Sequence, residues 1–181
     1  MLALVLGDAA SGKSEFAELL AMQWAPERYY IATMQVADAE SQRRIERHRQ
    51  MRMGKGFVTL ERSLDLAGLQ MPDIEGTERI ALLECASTLL GNELYLPDGA
   101  AEKSWQAILA GVNNLQRQQA HLVVVSNCVF ADGASLSPEM HEYLYQLGLL
   151  NQHLAAAADL VVEVCCGLPL YHKQNPLLKS P

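Results

Sequence analysis

The sequence predicts an α/β fold, a mostly parallel sheet flanked by helices, folded as one domain over residues 1–181. Three observations predict it. Apolar runs alternate with helix-like stretches from end to end, the pattern of strand–helix–strand crossovers. Two of those runs, RIALLE (79–84) and HLVVVSN (121–127), are apolar without interruption through their middles, as strands are when both sheet faces are covered. A glycine-bearing loop also joins the first apolar run directly to the first helix. The length suits a single domain at roughly 100–200 residues each.

Taken in order, LALVL (2–6) is a short strand, and a helix runs from Lys13 to about Trp24. YYIAT (29–33) is the next strand, followed by a polar helix over about 38–52 and a short strand FVTLE (57–61). RIALLE and HLVVVSN are the buried strands, and between them lie helical stretches at about 86–95 and 102–119, separated by the breaker-rich LPDGAAE. A last helix begins with Ser137 as N-cap and Pro138 in the first turn and ends near Ala158. LVVEV (160–164) is a further strand, and the tail from Gly167, with three prolines, reads as irregular at its end.

Half of the residues are hydrophobic and 19% are charged, enough to fill one core. No apolar run reaches the ~18 residues of a membrane span, and the N-terminus lacks the basic leader of a signal peptide, so a cytoplasmic protein is expected. Cys85, Cys128, Cys165 and Cys166 form no CxxC pair and read as buried thiols of a reducing compartment. The net charge of −7 argues against a nucleic-acid partner. Residues 43–55 nevertheless hold six of the 14 basic residues and one acid, leaving that stretch at +5 and the rest at −12. A short basic segment on an acidic body suits a small phosphorylated ligand.

GDAASGKS fits the phosphate-loop pattern G-x-x-x-x-G-K-[ST] between a strand and a helix. Its residues are Gly7, Asp8, Ala9, Ala10, Ser11, Gly12, Lys13 and Ser14. The glycines permit close backbone approach, successive N–H groups wrap phosphate oxygens, and the following helix presents its positive end. Lys13 would reach the β/γ-phosphates of ATP or GTP, and Ser14 would ligate Mg²⁺. A chance match to the four constrained positions is expected in roughly one such chain in a hundred or fewer. Glu84, at the C-terminal end of RIALLE, is the candidate acidic partner for Mg²⁺. Its other reading is a surface-facing strand end.

His48 lies in AESQRRIERHRQMR, with Ile45, Arg44 and Arg52 at helical spacings on its face. Clustered guanidinium groups disfavour a protonated imidazole and hold a triphosphate, so His48 could attack an α-phosphorus and carry a nucleotide. From composition alone, a single histidine on a charged helix reads more often as part of a solvated face.

Together these segments resemble the bifunctional adenosylcobinamide kinase / adenosylcobinamide-phosphate guanylyltransferase family of cobalamin biosynthesis. The loop at the N-terminus is followed by YIAT (30–33), RIxxH (44–48) with Arg52, T-x-E at Thr59 and Glu61, and LLEC (82–85). SN (126–127) and NQxLAAAAD (151–159) complete the set. The resemblance implies a RecA-like P-loop NTPase fold, a homotrimer, and His48 as the guanylyl carrier. It also implies that Thr33, Arg44, Arg52, Glu61 and Glu84 line the nucleotide site. The implied reactions are phosphorylation of the adenosylcobinamide hydroxyl by ATP or GTP, then passage of GMP from GTP through the histidine to the corrinoid phosphate. Asp8 and Ala10 depart from the family's GGxRSGKS loop, Cys128-Val129-Phe130 stands in place of Glu-Val-Gly, and Phe57 replaces a common tryptophan. Two other readings of the residues are a P-loop kinase of another small hydroxylated substrate and a GTP-binding relative without turnover.

Overall fold

The computed structural model describes residues 1–36, 38–72, 78–118, 121–128 and 136–174, without the side chains of Arg44 and Met51. The departure at Val129 and Phe130 lies outside the described residues, as does the end of the tail.

The elements are β1 (Leu2–Gly7), α1 (Lys13–Trp24), β2 (Glu27–Ala32), α2 (Ala39–Arg52), β3 (Phe57–Glu61) and β4 (Arg79–Glu84). They continue with α3 (Ala86–Tyr95), α4 (Ser104–Gln118), β5 (His121–Asn127), α5 (Pro138–Ala157), β6 (Leu160–Cys165) and β7 (Leu168–Gln174). The seven strands form one sheet in the order β3-β2-β4-β5-β1-β6-β7. All neighbours are parallel except β6 and β7. One strand, β5, separates the loop-bearing β1 from the acid-bearing β4. Among the described residues no helix is long and apolar enough to cross a membrane.

Side chains alternate faces along a strand, and both faces are buried. Leu2, Leu4, Tyr29, Ile31, Ala81, Leu83, Leu122 and Val124 pack under α3, α4 and α5 through Leu89, Leu90, Ile108, Val112, Leu115, Leu147, Leu150 and Leu154. Ala3, Val5, Tyr30, Ile80, Leu82, Val123, Val125 and Val162 pack against Ala17, Leu20 and Ala21 of α1. This two-sided burial is why the strands read as apolar runs rather than alternating ones.

Local sequence sets the ends of the helices. Asp38 caps α2 in a reciprocal box: its carboxylate accepts from the Ser41 N–H at 2.7 Å, and its own N–H donates to Ser41 Oγ at 2.9 Å. Ser137 caps α5 ahead of Pro138, as the sequence indicates. Asp159, at the end of NQxLAAAAD, accepts from the Leu2 N–H at 2.9 Å and donates its own N–H to the Leu2 carbonyl at 2.8 Å, pinning β1 from both sides.

Two elements lie beyond the sequence-based expectation. The tail forms β7, an antiparallel edge strand that accommodates Pro169 because an edge leaves one row of N–H groups unpaired. A 3₁₀ turn at Leu66–Gly68 buries Leu66 against α4, where a Cβ on Gly111 would stand 2.6 Å from that of Leu66. The cysteines also depart from expectation. All four are free thiols, but Cys85 and Cys128 are half-buried, and Cys165 and Cys166 are exposed. A two-residue reversal between β6 and β7 has no interior in which to hide them.

Candidate functional site

Parallel register gathers the C-terminal ends of the strands along one edge, where open α/β sheets bind ligands. Gly7 is in register with Asn127, Ala32 with both Glu84 and Glu61, and Glu84 with Val125. Above that edge lies a cavity of about 1260 Å³, lined by the phosphate loop, by α2, and by residues that include Thr59, Glu61, Glu84, Cys85, Thr88 and Asn127. Its wall carries Lys13 and Arg43, Arg47, Arg49, Arg52 and Arg62 against Glu15, Glu46, Glu61 and Glu84. That excess of positive charge on an acidic chain favours an anionic ligand.

The loop is built around backbone conformations that few side chains tolerate. Gly12 is left-handed at φ 93° and caps α1, and Ala10 is left-handed at φ 58°. At Gly7 a Cβ would stand 2.5 Å from Ser11 Oγ and 2.6 Å from the Val164 carbonyl oxygen, so only glycine fits. Lys13 is buried and its ammonium donates to the Asp8 carbonyl at 3.0 Å, folding the side chain back over the loop. Ser14 Oγ donates to Glu84 Oε1, while Glu84 Oε2 and Ser11 Oγ are buried without a hydrogen-bond partner among the described residues.

Burial pushes the Glu84 carboxyl above its usual range, with Glu18 adding to the shift; Ser14, Lys13 and Arg52 oppose it. Thr33 sits behind this acid rather than in the cavity wall. The peptide between Glu84 and Cys85 is cis. Thr33 Oγ1 donates toward the Glu84 and Cys85 carbonyls at 3.0 and 3.1 Å and accepts from the Cys85 N–H at 2.8 Å. Asn92 in turn donates to the Thr33 and Ser63 carbonyls at 2.8 and 3.0 Å.

On α2, His48 is half-exposed and lines the cavity. Arg52, four residues on, is 7% exposed, and its guanidinium carbon lies 3.5 Å from the centroid of the Tyr30 ring, a cation–π contact. Phe57 meets Tyr30 edge-on at 6.2 Å. Glu61 lines the cavity and pairs with Arg49 at 2.6 Å between well-exposed side chains. The side chain of Arg44 lies outside the described residues.

A family model described as cobinamide kinase / cobinamide phosphate guanyltransferase matches residues 3–171. The chain belongs to this family. It is a P-loop kinase and nucleotidyltransferase of cobalamin biosynthesis. The bifunctional adenosylcobalamin biosynthesis protein CobU of Escherichia coli is 38% identical, over 93% of this chain and 97% of that protein. The corresponding CobP of Pseudomonas aeruginosa is 33% identical, over 96% and 98%, and CobU of Salmonella typhimurium is 35% identical, over 93% and 97%. Among solved structures, the P4 protein from bacteriophage phi6 in complex with ADP aligns with 93% of this chain and 53% of that chain, at 14% identity and a TM-score of 0.44.

Within this member of the cobinamide kinase / guanyltransferase family, the described departures from the usual motifs are spread: Asp8 and Ala10 lie in the loop, Cys128 adjoins it, and Phe57 packs against Tyr30. Asp8 is exposed, and only its carbonyl is engaged by Lys13. Cys128 donates its N–H to the Gly7 carbonyl at 3.3 Å, and burial, then Glu163 and Asp8, push its thiol up. Sequence reasoning missed Tyr30 as the platform for Arg52, although the residue stands inside YIAT. It also missed Lys55, which binds the buried Glu18 of α1 at 2.5 Å and thereby ties the end of α2 to the loop's own helix. The signal was a cation just after a helix that ends in Arg52; its partner lies 37 residues away.

Proposed function

We propose that this chain phosphorylates adenosylcobinamide and then transfers GMP from GTP, through His48, to adenosylcobinamide phosphate, giving adenosylcobinamide-GDP. The observation that carries the reading is that the phosphate loop and His48 face the same cavity. A triphosphate cradled by Gly7, Asp8, Ala9, Ala10, Ser11, Gly12, Lys13 and Ser14 is then within the same space as the imidazole. Arg52 and Glu61 extend that site. Thr33 acts from behind, by fixing the backbone on which Glu84 stands.

In the guanylyl step an imidazole nitrogen of His48 attacks the α-phosphorus. The bond to the bridging oxygen breaks, and pyrophosphate leaves into the basic part of the cavity. The phosphate of the corrinoid then attacks the same phosphorus and returns His48 free. In the kinase step the substrate hydroxyl attacks the γ-phosphorus of ATP or GTP. Here Lys13 and the loop N–H groups stabilise charge that builds on the phosphoryl oxygens.

Ser14 and Glu84 offer hard oxygen donors, one carboxylate oxygen being buried and unpartnered, and this set fits Mg²⁺. When bound, the ion would neutralise charge on the β- and γ-phosphates. ATP and GTP as substrates support a cytoplasmic location. A homotrimer is the assembly proposed, and sedimentation of the purified chain tests it.

The deciding experiment is incubation with Mg²⁺ and α-labelled GTP, followed by intact-mass analysis and acid and alkali stability tests. The wild type should carry an acid-labile, alkali-stable GMP, and His48→Ala none. A protein that binds GTP but never takes up label would leave a kinase or a nucleotide binder instead.

A further inference from the structure

The reversal between β6 and β7, which carries two exposed thiols, sets its backbone against the phosphate loop. Cys165 Sγ and Cys166 Sγ are 3.9 Å apart. Cys166 and Gly167 are left-handed at φ 52° and 79°. Gly167 donates its N–H to the Ser11 carbonyl at 2.8 Å. A Cβ on Gly12 would stand 3.2 Å from Gly167 Cα, and the Val164 carbonyl closes on Gly7 in the same way. The turn is therefore a backbone brace on the loop, and nothing in the group-transfer chemistry uses its two sulfurs.

We propose that Cys165 and Cys166 form a thiol-modification site, oxidised by low-molecular-weight disulfides to a vicinal disulfide that loosens the phosphate loop. One thiolate attacks a sulfur of the disulfide RSSR, forming a mixed disulfide and releasing RS⁻, which takes up a proton. The neighbouring thiolate then attacks the protein sulfur of that mixed disulfide and expels a second RSH. The balance is two protein thiols and RSSR in, one protein disulfide and two RSH out. Adjacency makes the second step intramolecular.

Geometry gives the product its regulatory character. Two residues joined by one trans peptide have Cα atoms about 3.8 Å apart, inside the usual ~4.4–6.8 Å span of a disulfide. The ring is consequently strained and easily reduced, the property of labile rather than structural disulfides. Drawing the sulfurs from 3.9 Å to the ~2.05 Å of a disulfide pulls on the left-handed turn at Cys166 and Gly167, and the Gly167 N–H that donates to Ser11 belongs to that turn. Loss of one such hydrogen bond corresponds to roughly a 2- to 10-fold change in an equilibrium constant. Cys165 and Cys166 share a weak S–H···S contact that, with the nearby Glu163 and Asp8, holds the Cys165 thiol above its ordinary range.

The inference rests on nucleotide binding by the phosphate loop, and the test separates the two. Full-length protein is treated with oxidised glutathione and alkylated. The cysteines are then mapped by peptide mass, alongside GTP affinity by calorimetry and hydrogen exchange of the Gly167 amide. The expected result is joint loss of the Cys165 and Cys166 thiols and a roughly 2- to 10-fold weaker GTP affinity. Faster exchange at Gly167 and full reversal by dithiothreitol should accompany it. A Cys165→Ser/Cys166→Ser protein should bind GTP as the reduced wild type does and ignore the oxidant. The proposal is overturned if the pair stays reduced, if a stable glutathione adduct forms in place of the closed pair, or if the pair closes without a change at Gly167. Failure of the reduced protein to bind GTP would sink the phosphate-loop reading instead, and Gly167 exchange would then decide the coupling alone.

Discussion

At the scale of single residues, the site depends on groups held in place by neighbours of a different chemical kind. Arg52 is buried with its guanidinium against the face of Tyr30, which takes the place of water there. The ring, not the hydroxyl, does this. Burial and the nearby Glu84 push the Tyr30 hydroxyl well above its ordinary range, so it stays neutral. Tyr30→Phe should therefore retain the rate of GMP-adduct formation, whereas Tyr30→Leu should slow it about 10-fold, the equivalent of a cation–π contact of ~1–2 kcal/mol. Equal rates in the two variants would show that Arg52 is held by something else. At the opposite end of the sheet, burial, with the N-terminal ammonium as the second cause, holds the His121 imidazole below its ordinary 6.5. A depressed histidine binds its proton less well folded than unfolded, so its contribution is whole above that value and is lost as pH falls through the folded one. Urea melts from pH 8 to 5 should show the wild type losing stability relative to His121→Gln only below about pH 6.5.

At the scale of elements, α2 is the unusual one. Among its described side chains only Arg52 is buried, so the apolar face that docks most helices does not hold it. Its position depends on the Asp38–Ser41 box at one end and on Arg52 and the Lys55–Glu18 pair at the other. Glu18 is 3% exposed in its side chain and Lys55 is 26% exposed. Removing the cation leaves a buried charge unpaired. Lys55→Ala should lose about 3 kcal/mol of stability by urea melting and also slow labelling of His48, because α2 is released from α1. The Glu18→Leu/Lys55→Met pair should recover most of the stability. If the single variant melts like the wild type, the pair is not the anchor of α2. The polar stretch over about 38–52 predicted α2 nearly to its ends, since helical spacing is local. Its docking was not legible, because both partners of that docking belong to other elements.

At the scale of the whole molecule, one cavity contains both the phosphate loop and the histidine. A non-hydrolysable ATP analogue should therefore compete with GTP for formation of the His48 adduct, raising the apparent KM without lowering the limiting rate. Pure non-competitive inhibition would require two separate nucleotide sites. The sequence by itself determined the parts whose physics is local. These are the phosphate loop, with its glycines and its helix, the alternation that makes a parallel sheet, the helix caps, and the strand-end acid at Glu84. Tertiary structure decided what those parts face. Thr33 turns inward to hold the Glu84 backbone across 51 residues of sequence. Asp159 pins Leu2 across 157, and the first part of the tail, for which the sequence indicated no strand, pairs as the edge strand β7. Such contacts arise only after loop closure and register bring distant strands together. No periodicity or spacing within one segment encodes them.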